Sequence, residues 1–163
     1  MRKFPASAIG TLCLIGVALA VEPPLQKEGL WSIHRQTINN PGNVTHESSE
    51  KICRNHAYDQ DARSRAKNRP GCKVLSESFS GRTYAIEMQC TVAHNVIKSK
   101  GTTTFQGDTA FRSETHATYW PALYGVSETW IMMEQKYLGS CPEGTQPGDL
   151  IHPDGTVTHL GKH

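Results

Sequence analysis

Apolar and polar side chains alternate along most of the chain between residues 30 and 137, and the two-residue repeat predicts strands. From Leu30 to Ile38, Trp31 and Ile33 fall on one face and Ser32, His34 and Gln36 on the other. From Thr83 to Cys90 the separation is complete: Tyr84, Ile86, Met88 and Cys90 alternate with Thr83, Ala85, Glu87 and Gln89. The strand Lys73–Phe79 precedes it, joined through Ser80-Gly81, a pair suited to a tight hairpin. Gly107-Asp108 repeats the device between Lys100–Gln106 and Ala110–Tyr119. In the second of these, Phe111, Ala117 and Tyr119 share a face with Ser113 and Thr115, while Arg112, Glu114, His116 and Thr118 point away. A last strand, Ser127–Tyr137, sets Trp130 and Met132 against Ile131 and Met133.

One segment breaks the repeat. Asp59 is placed to cap a short helix over residues 59–69, carrying Ala62, Arg63, Ala66 and Lys67 and stopped by Pro70-Gly71. Its polarity predicts that it lies on the outside. Residues 39–47 and 120–125 read as loops, and from Pro142 onward Gly, Pro, Asp and His predict a flexible tail, residues 142–163. The fold class expected is mainly β, an antiparallel meander sheet or half-barrel with one short outer helix.

The start of the chain has a different character. Arg2 and Lys3 precede an apolar run from Ala8 to Leu19, and Ala18-Leu19-Ala20 supplies small residues for cleavage after Ala20. This is the layout of a secretory signal peptide, residues 1–20. The run is about a dozen residues, short of the roughly 20 that span a bilayer, so no stable membrane anchor is expected. The residues ahead of Cys13 do not form a lipoprotein box. A periplasmic location follows, with one β-rich domain over residues 21–141. Without Arg2 and Lys3 the mature chain balances 15 basic against 15 acidic residues, which removes any general attraction to nucleic acid or anionic membranes.

Export also gives the cysteines a meaning. Cys53, Cys72, Cys90 and Cys141 remain after the leader, and an even count in an exported chain argues for two disulfides. Four cysteines allow three pairings. Cys53 with Cys72 and Cys90 with Cys141 are favoured, because the helical segment reads as an excursion that must return. No spacing matches the C-x-x-C pairs of a structural zinc site.

Taken in order, the leader, Gly29-Leu30-Trp31, the four cysteines, Lys100-Gly101-Thr102, Gly107-Asp108 and Tyr137-Leu138-Gly139-Ser140-Cys141 resemble the bacterial exported family catalogued as domain of unknown function 3617. The resemblance covers roughly residues 25–141. It implies an address and a β-fold and supplies no catalytic residues. The aromatic stretch Trp120–Tyr124 and the chain after Cys141 depart from the pattern.

Chemistry is sparse. Gly125-Val126-Ser127-Glu128-Thr129 holds half of a nucleophile elbow but opens a strand. Glu114 and Glu128 on neighbouring strands would make an acid–base pair only if buried, and alternation places Glu114 on the polar face. Eight histidines and Met132-Met133 offer ligands for copper or zinc, yet only His94 and His116 fall near adjacent strands, while His152, His159 and His163 lie in the tail. No metal or cofactor is called for. Arg63, Arg65, Lys67, Arg69 and Lys73 crowd one segment without the interleaved aromatics of a nucleic-acid surface. Asn43-Val44-Thr45 forms a sequon without consequence in a bacterial protein. What remains is the aromatic content of the sheet. Trp31, Tyr84, Phe105, Phe111, Tyr119 and Trp130 are the candidate ligand-binding residues, in a protein expected to bind an envelope protein or a small apolar ligand and to catalyse nothing. A metal-handling protein and a cryptic hydrolase are the alternatives.

Overall fold

The computed structural model describes residues 22–160; the expected leader with Cys13, and His163, lie outside them. Along the described chain run β1 (Gly29–Asn40), β2 (Val44–Arg54), α1 (His56–Lys67), β3 (Cys72–Ser80), β4 (Thr83–Val92), β5 (Asn95–Phe105), β6 (Ala110–Leu123), β7 (Val126–Gly139), β8 (Asp149–Ile151) and β9 (Val157–His159). They form one antiparallel sheet in the order β3-β4-β5-β6-β7-β1-β2-β8-β9. The meander β3 to β7 is what the hairpin signals predict. Its last strand returns to pair with β1, so the earliest strand sits in the interior of the sheet.

The elements extend further than the alternation indicates. The expected loop over residues 39–47 shrinks to Pro41-Gly42-Asn43, because β2 begins at Val44 and pairs with β1 from Asn39↔Val44 to Gly29↔Arg54. Between Val44 and Ile52, β2 is polar on both faces and has no apolar period to read. The ladder to β1 holds it. The expected loop over residues 120–125 is likewise mostly strand, and β6 turns into β7 through Tyr124-Gly125, both at positive φ.

Pairing register assigns the faces. Phe105 opposes Phe111, Phe111 opposes Gln135, Gln135 opposes Ile33, and Tyr84 opposes Thr103. Cross-strand partners share a face, so all of these point to one side. Tyr84 on β4 and Leu150 on β8 nevertheless line a single cavity. Six strand spacings of about 4.8 Å would separate β4 from β8 by roughly 29 Å on a flat sheet. The sheet therefore curls, as a half-barrel does.

The helix stands outside the sheet and bridges its opening. Asn55 caps it, its side chain accepting from the Tyr58 amide at 2.8 Å. This starts the helix three residues before the expected Asp59 and frees that carboxylate for Arg54. Twelve residues of helix cover about 18 Å, enough to carry the chain from β2 to β3 at the far edge of the sheet. There Lys67 forms a salt bridge with Glu77.

This crossing decides the disulfides. The bridges are Cys53–Cys141 and Cys72–Cys90, which corrects the favoured pairing. The helical excursion does not return to β2; Cys72 lies six strands away from it, directly opposite Cys90 on β4. Cys53 and Cys141 instead meet across the start of β1, where Leu30 pairs with Cys53 on one side and with Gly139 on the other. Gly29 makes this crowding possible: its φ is +138°, and a Cβ there would lie 2.3 Å from the Gly139 carbonyl oxygen.

The stretch expected as a flexible tail is built into the sheet. The Gly148 amide donates to the Cys53 carbonyl at 2.9 Å, and β8 pairs with β2 through Lys51↔Ile151 and Ile52↔Leu150. Asp149 accepts from the Gln146 amide at 2.9 Å and meets His159 Nδ1 at 2.7 Å. Together these hold its carboxyl below the usual range. Leu150 packs against the core of Trp31, Ile33 and Ile52. That core is small. Trp31, fully buried, donates from Nε1 to the Lys27 carbonyl at 2.9 Å and packs against Phe111 and Tyr137.

Candidate ligand-binding site

Between the curled sheet and α1 lies a half-open cavity of about 700 Å³, within the range of small-molecule sites. Its apolar lining comes from six strands: Ile33 of β1, Ile52 of β2, Phe105 of β5, Phe111 of β6, Met133 of β7 and Leu150 of β8. Tyr58, Ala62 and Ala66 of α1 form the facing wall, and Pro23 and Pro24 close one side. The spacing of Tyr58, Ala62 and Ala66 is four residues, one helical face. The small side chains at the latter two keep the helix from filling the space it covers.

The polar groups around this lining are mostly paired. Arg54 donates to both oxygens of Asp59 at 2.9 Å and to Gln135 Oε1 at 2.7 Å. Its guanidinium also lies 4.9 Å from the Trp31 ring and 5.2 Å from Phe111. A buried cation needs this much partnership, since a bidentate carboxylate and ring faces replace the water it gives up. At the β3–β4 side the Tyr84 hydroxyl donates to Glu77 at 2.7 Å, beside the Lys67 salt bridge. Burial alone would raise the Glu77 carboxyl, but the hydrogen bonds from Lys67 and Tyr84 and the Lys67 charge hold it below its usual value. Burial first, and then the Glu77 carboxylate, push the Tyr84 phenol far up. Burial also raises the Tyr58 phenol. Glu50 faces His152 at 3.4 Å. Gln26 is buried at the cavity wall, and its Oε1 finds no donor among the described residues.

The six aromatic candidates divide four ways. Tyr84, Phe105 and Phe111 line the cavity. Trp31 does not; it lies in the core, against the Phe111 ring at a centroid distance of 5.8 Å. Tyr119 shares the Phe111 face but lies eight residues along β6, about 27 Å away. Trp130 projects from the opposite face, stacked on His116 with centroids 4.0 Å apart. The sequence reading missed Arg54, Tyr58 and Leu150. Tyr58 lies ahead of the helix as predicted from Asp59, and Leu150 belongs to the segment read as tail.

The other candidate chemistries are dispersed. Glu114 opposes Met132 and Glu128 opposes Thr118, so the two carboxylates are not cross-strand partners; Glu114 pairs with Arg112 and Glu128 faces His116. Ser127 donates to the Asn40 carbonyl at the exposed start of β7. His116 opposes Lys100, while His94 occupies the β4–β5 turn. Among the described residues no group of three or more His, Cys, Asp or Glu side chains is arranged to hold a metal ion.

The fold and its cavity define a class: an open antiparallel half-barrel, stapled by two disulfides, with a helix laid across its mouth. The chain belongs to the family described as protein of unknown function (DUF3617), whose model matches residues 26–141. No curated protein matches it.

Proposed function

We propose that this chain is a periplasmic binding protein that carries a small apolar ligand in the cavity beneath α1. The observation that carries the reading is the cavity itself: about 700 Å³, lined by Ile33, Ile52, Phe105, Phe111, Met133 and Leu150. An apolar molecule placed there gains roughly 0.8 kcal/mol for each methylene withdrawn from water. The paired state of Arg54 and Glu77 means that this gain is not offset by stripping water from lone charges at those positions. The leader and the two disulfides support export to an oxidising compartment.

The test is binding of the neutral fluorophore N-phenyl-1-naphthylamine to the mature protein purified from periplasm. Saturable enhancement is expected in the wild type. It is expected to be lost in Ala62→Trp, which puts an indole into the cavity from the helix wall and leaves the sheet unchanged. An equal signal from both proteins would place the probe elsewhere and remove the reading. N-terminal sequencing of the purified protein, expected to begin at Val21, tests the address.

One feature favours a second reading, a module that docks on an envelope protein. At the β6–β7 end Trp120 is 78% and Tyr124 97% exposed, and Val92 is exposed at the end of β4. Loss of a co-purifying partner on replacing both aromatics by serine would support it.

A further inference from the structure

Three arginines line the cavity, and two of them have no carboxylate partner among the described residues. Arg54 is occupied by Asp59 and Gln135. Arg35, on β1 at the exposed rim, and Arg63, half-buried on α1, form no ion pair with any described residue. Of the two lining carboxylates, Asp59 is engaged by Arg54, and Glu50 lies 3.4 Å from His152 Nδ1, an ion pair when that imidazole is protonated. Glu50 lies one diagonal step from Arg35 across the β1–β2 ladder, since it opposes Ile33 and Arg35 opposes Ser48, yet the two do not pair. Arg63 enters the lining from α1 and Arg35 from β1. The cavity thus combines an apolar lining with two uncommitted cations, one from the helix and one from the sheet.

From this charge complementarity, and resting on the carrier reading above, we infer that the ligand is an anionic amphiphile: an apolar chain lying against Phe105, Phe111 and Met133, and one acidic head group held by Arg35 and Arg63. A guanidinium presents a planar fork of donors that matches a carboxylate or phosphate. A purely apolar carrier gains nothing from leaving two such groups without counter-ions at its cavity. The head group is specified by charge and the chain by apolar contact, so an alcohol of equal length binds less well than the acid.

The experiment uses displacement of bound N-phenyl-1-naphthylamine from the mature protein at pH 8 by dodecanoate, dodecyl phosphate, dodecan-1-ol and dodecylamine. An acid is expected to displace the probe at a concentration about tenfold or more below that of the alcohol, the weight of a charge-assisted hydrogen-bonded head group. The amine is expected to be the weakest. Arg63→Gln and Arg35→Gln are each expected to narrow the gap, and the double variant to close it by weakening the acid toward the alcohol. Arg63→Lys and Arg35→Lys are expected to keep most of the preference. A stronger effect of dodecanoate or of dodecyl phosphate names the head group. Equal displacement by acid and alcohol in the wild type, or a preference that survives in the double variant, overturns the inference and leaves the carrier reading standing. A wild-type protein that never binds the probe overturns both.

Discussion

Removing the bridge between the last strand of the meander and β2 is expected to cost more than removing the bridge within the β3–β4 hairpin, and the difference follows from loop length. Cys53–Cys141 closes 88 residues and Cys72–Cys90 closes 18. Chain-entropy scaling assigns the long loop about 4.6 kcal/mol and the short one about 3.2 kcal/mol at room temperature. The gap of about 1.4 kcal/mol is a factor of roughly ten in the unfolding equilibrium. Cys53 is fully buried, so the paired change Cys53→Ala with Cys141→Ala also loses packing and widens the gap. Urea unfolding followed by far-ultraviolet circular dichroism measures both paired variants against the wild type. On heating, the long-loop variant should melt roughly 15 °C lower, at a few degrees per kcal/mol for a chain of this size. A non-reducing peptide digest checks the connectivity first. If the Cys72→Ala, Cys90→Ala variant proves as unstable as the other or more so, loop entropy is not what the long bridge supplies.

The remaining expectations concern single residues. Trp31→Ala removes the centre of a small core and leaves the Lys27 carbonyl without its donor; a loss of about 3–5 kcal/mol is expected by urea unfolding. Glu77→Gln should cost about 1 kcal/mol at neutral pH by loosening Lys67 and Tyr84. Because the folded Glu77 carboxyl is held below its usual value, that contribution is complete above about pH 4.3 and is lost as pH falls through the folded value, where wild type and variant should converge. The raised Tyr84 phenol acts in the opposite direction: its stabilisation is complete below about pH 10 and fades as pH rises above it. Tyr84→Phe should remove the last-titrating component of the phenolate absorbance. Asp149→Asn should release β8 and β9 from β2, read as faster amide exchange at Leu150 and Ile151. Acid should do the same to the wild type, since Asp149 is also held below its ordinary range.

What the sequence disclosed is the part of the fold that obeys a period. The strands Thr83–Cys90 and Ala110–Tyr119 alternate, and the Gly81 and Gly107 turns punctuate the chain, so the meander could be read directly; the common face of Tyr84, Phe105 and Phe111 needed the pairing register. β2 could not, because Val44-Thr45-His46-Glu47-Ser48-Ser49 offers no apolar face. Its place comes from the β1 ladder and from Ile52 and Cys53 at its end. The last segment was opaque for a similar reason: its order rests on Asp149, His159 and one disulfide more than on apolar content. The disulfide pairing depended on where α1 delivers the chain, which is a property of sheet topology. Arg54 looked like any basic residue. Its role appears only when β7 brings Gln135, and the first turn of the helix brings Asp59, to the same point.

The position of β1 between β7 and β2 sets an order of events for the nascent chain. Trp31 with Tyr137, and Asn40 with Glu128, are partners roughly a hundred residues apart, a non-local closure of the kind that slows folding. At ordinary synthesis rates the interval between emergence of β1 and emergence of β7 is on the order of ten seconds. Through that interval the β1–β2 hairpin has both edges unsatisfied, since β7 and β8 are still to come, and the indole on which the core is built has no aromatic neighbours from β6 and β7. The hairpin β3–β4 can form by itself meanwhile, but the half-barrel cannot. Closure of β1 on β7 is therefore the step that this strand order delays, and a holdase that grips the exposed β1 edge would act on that step.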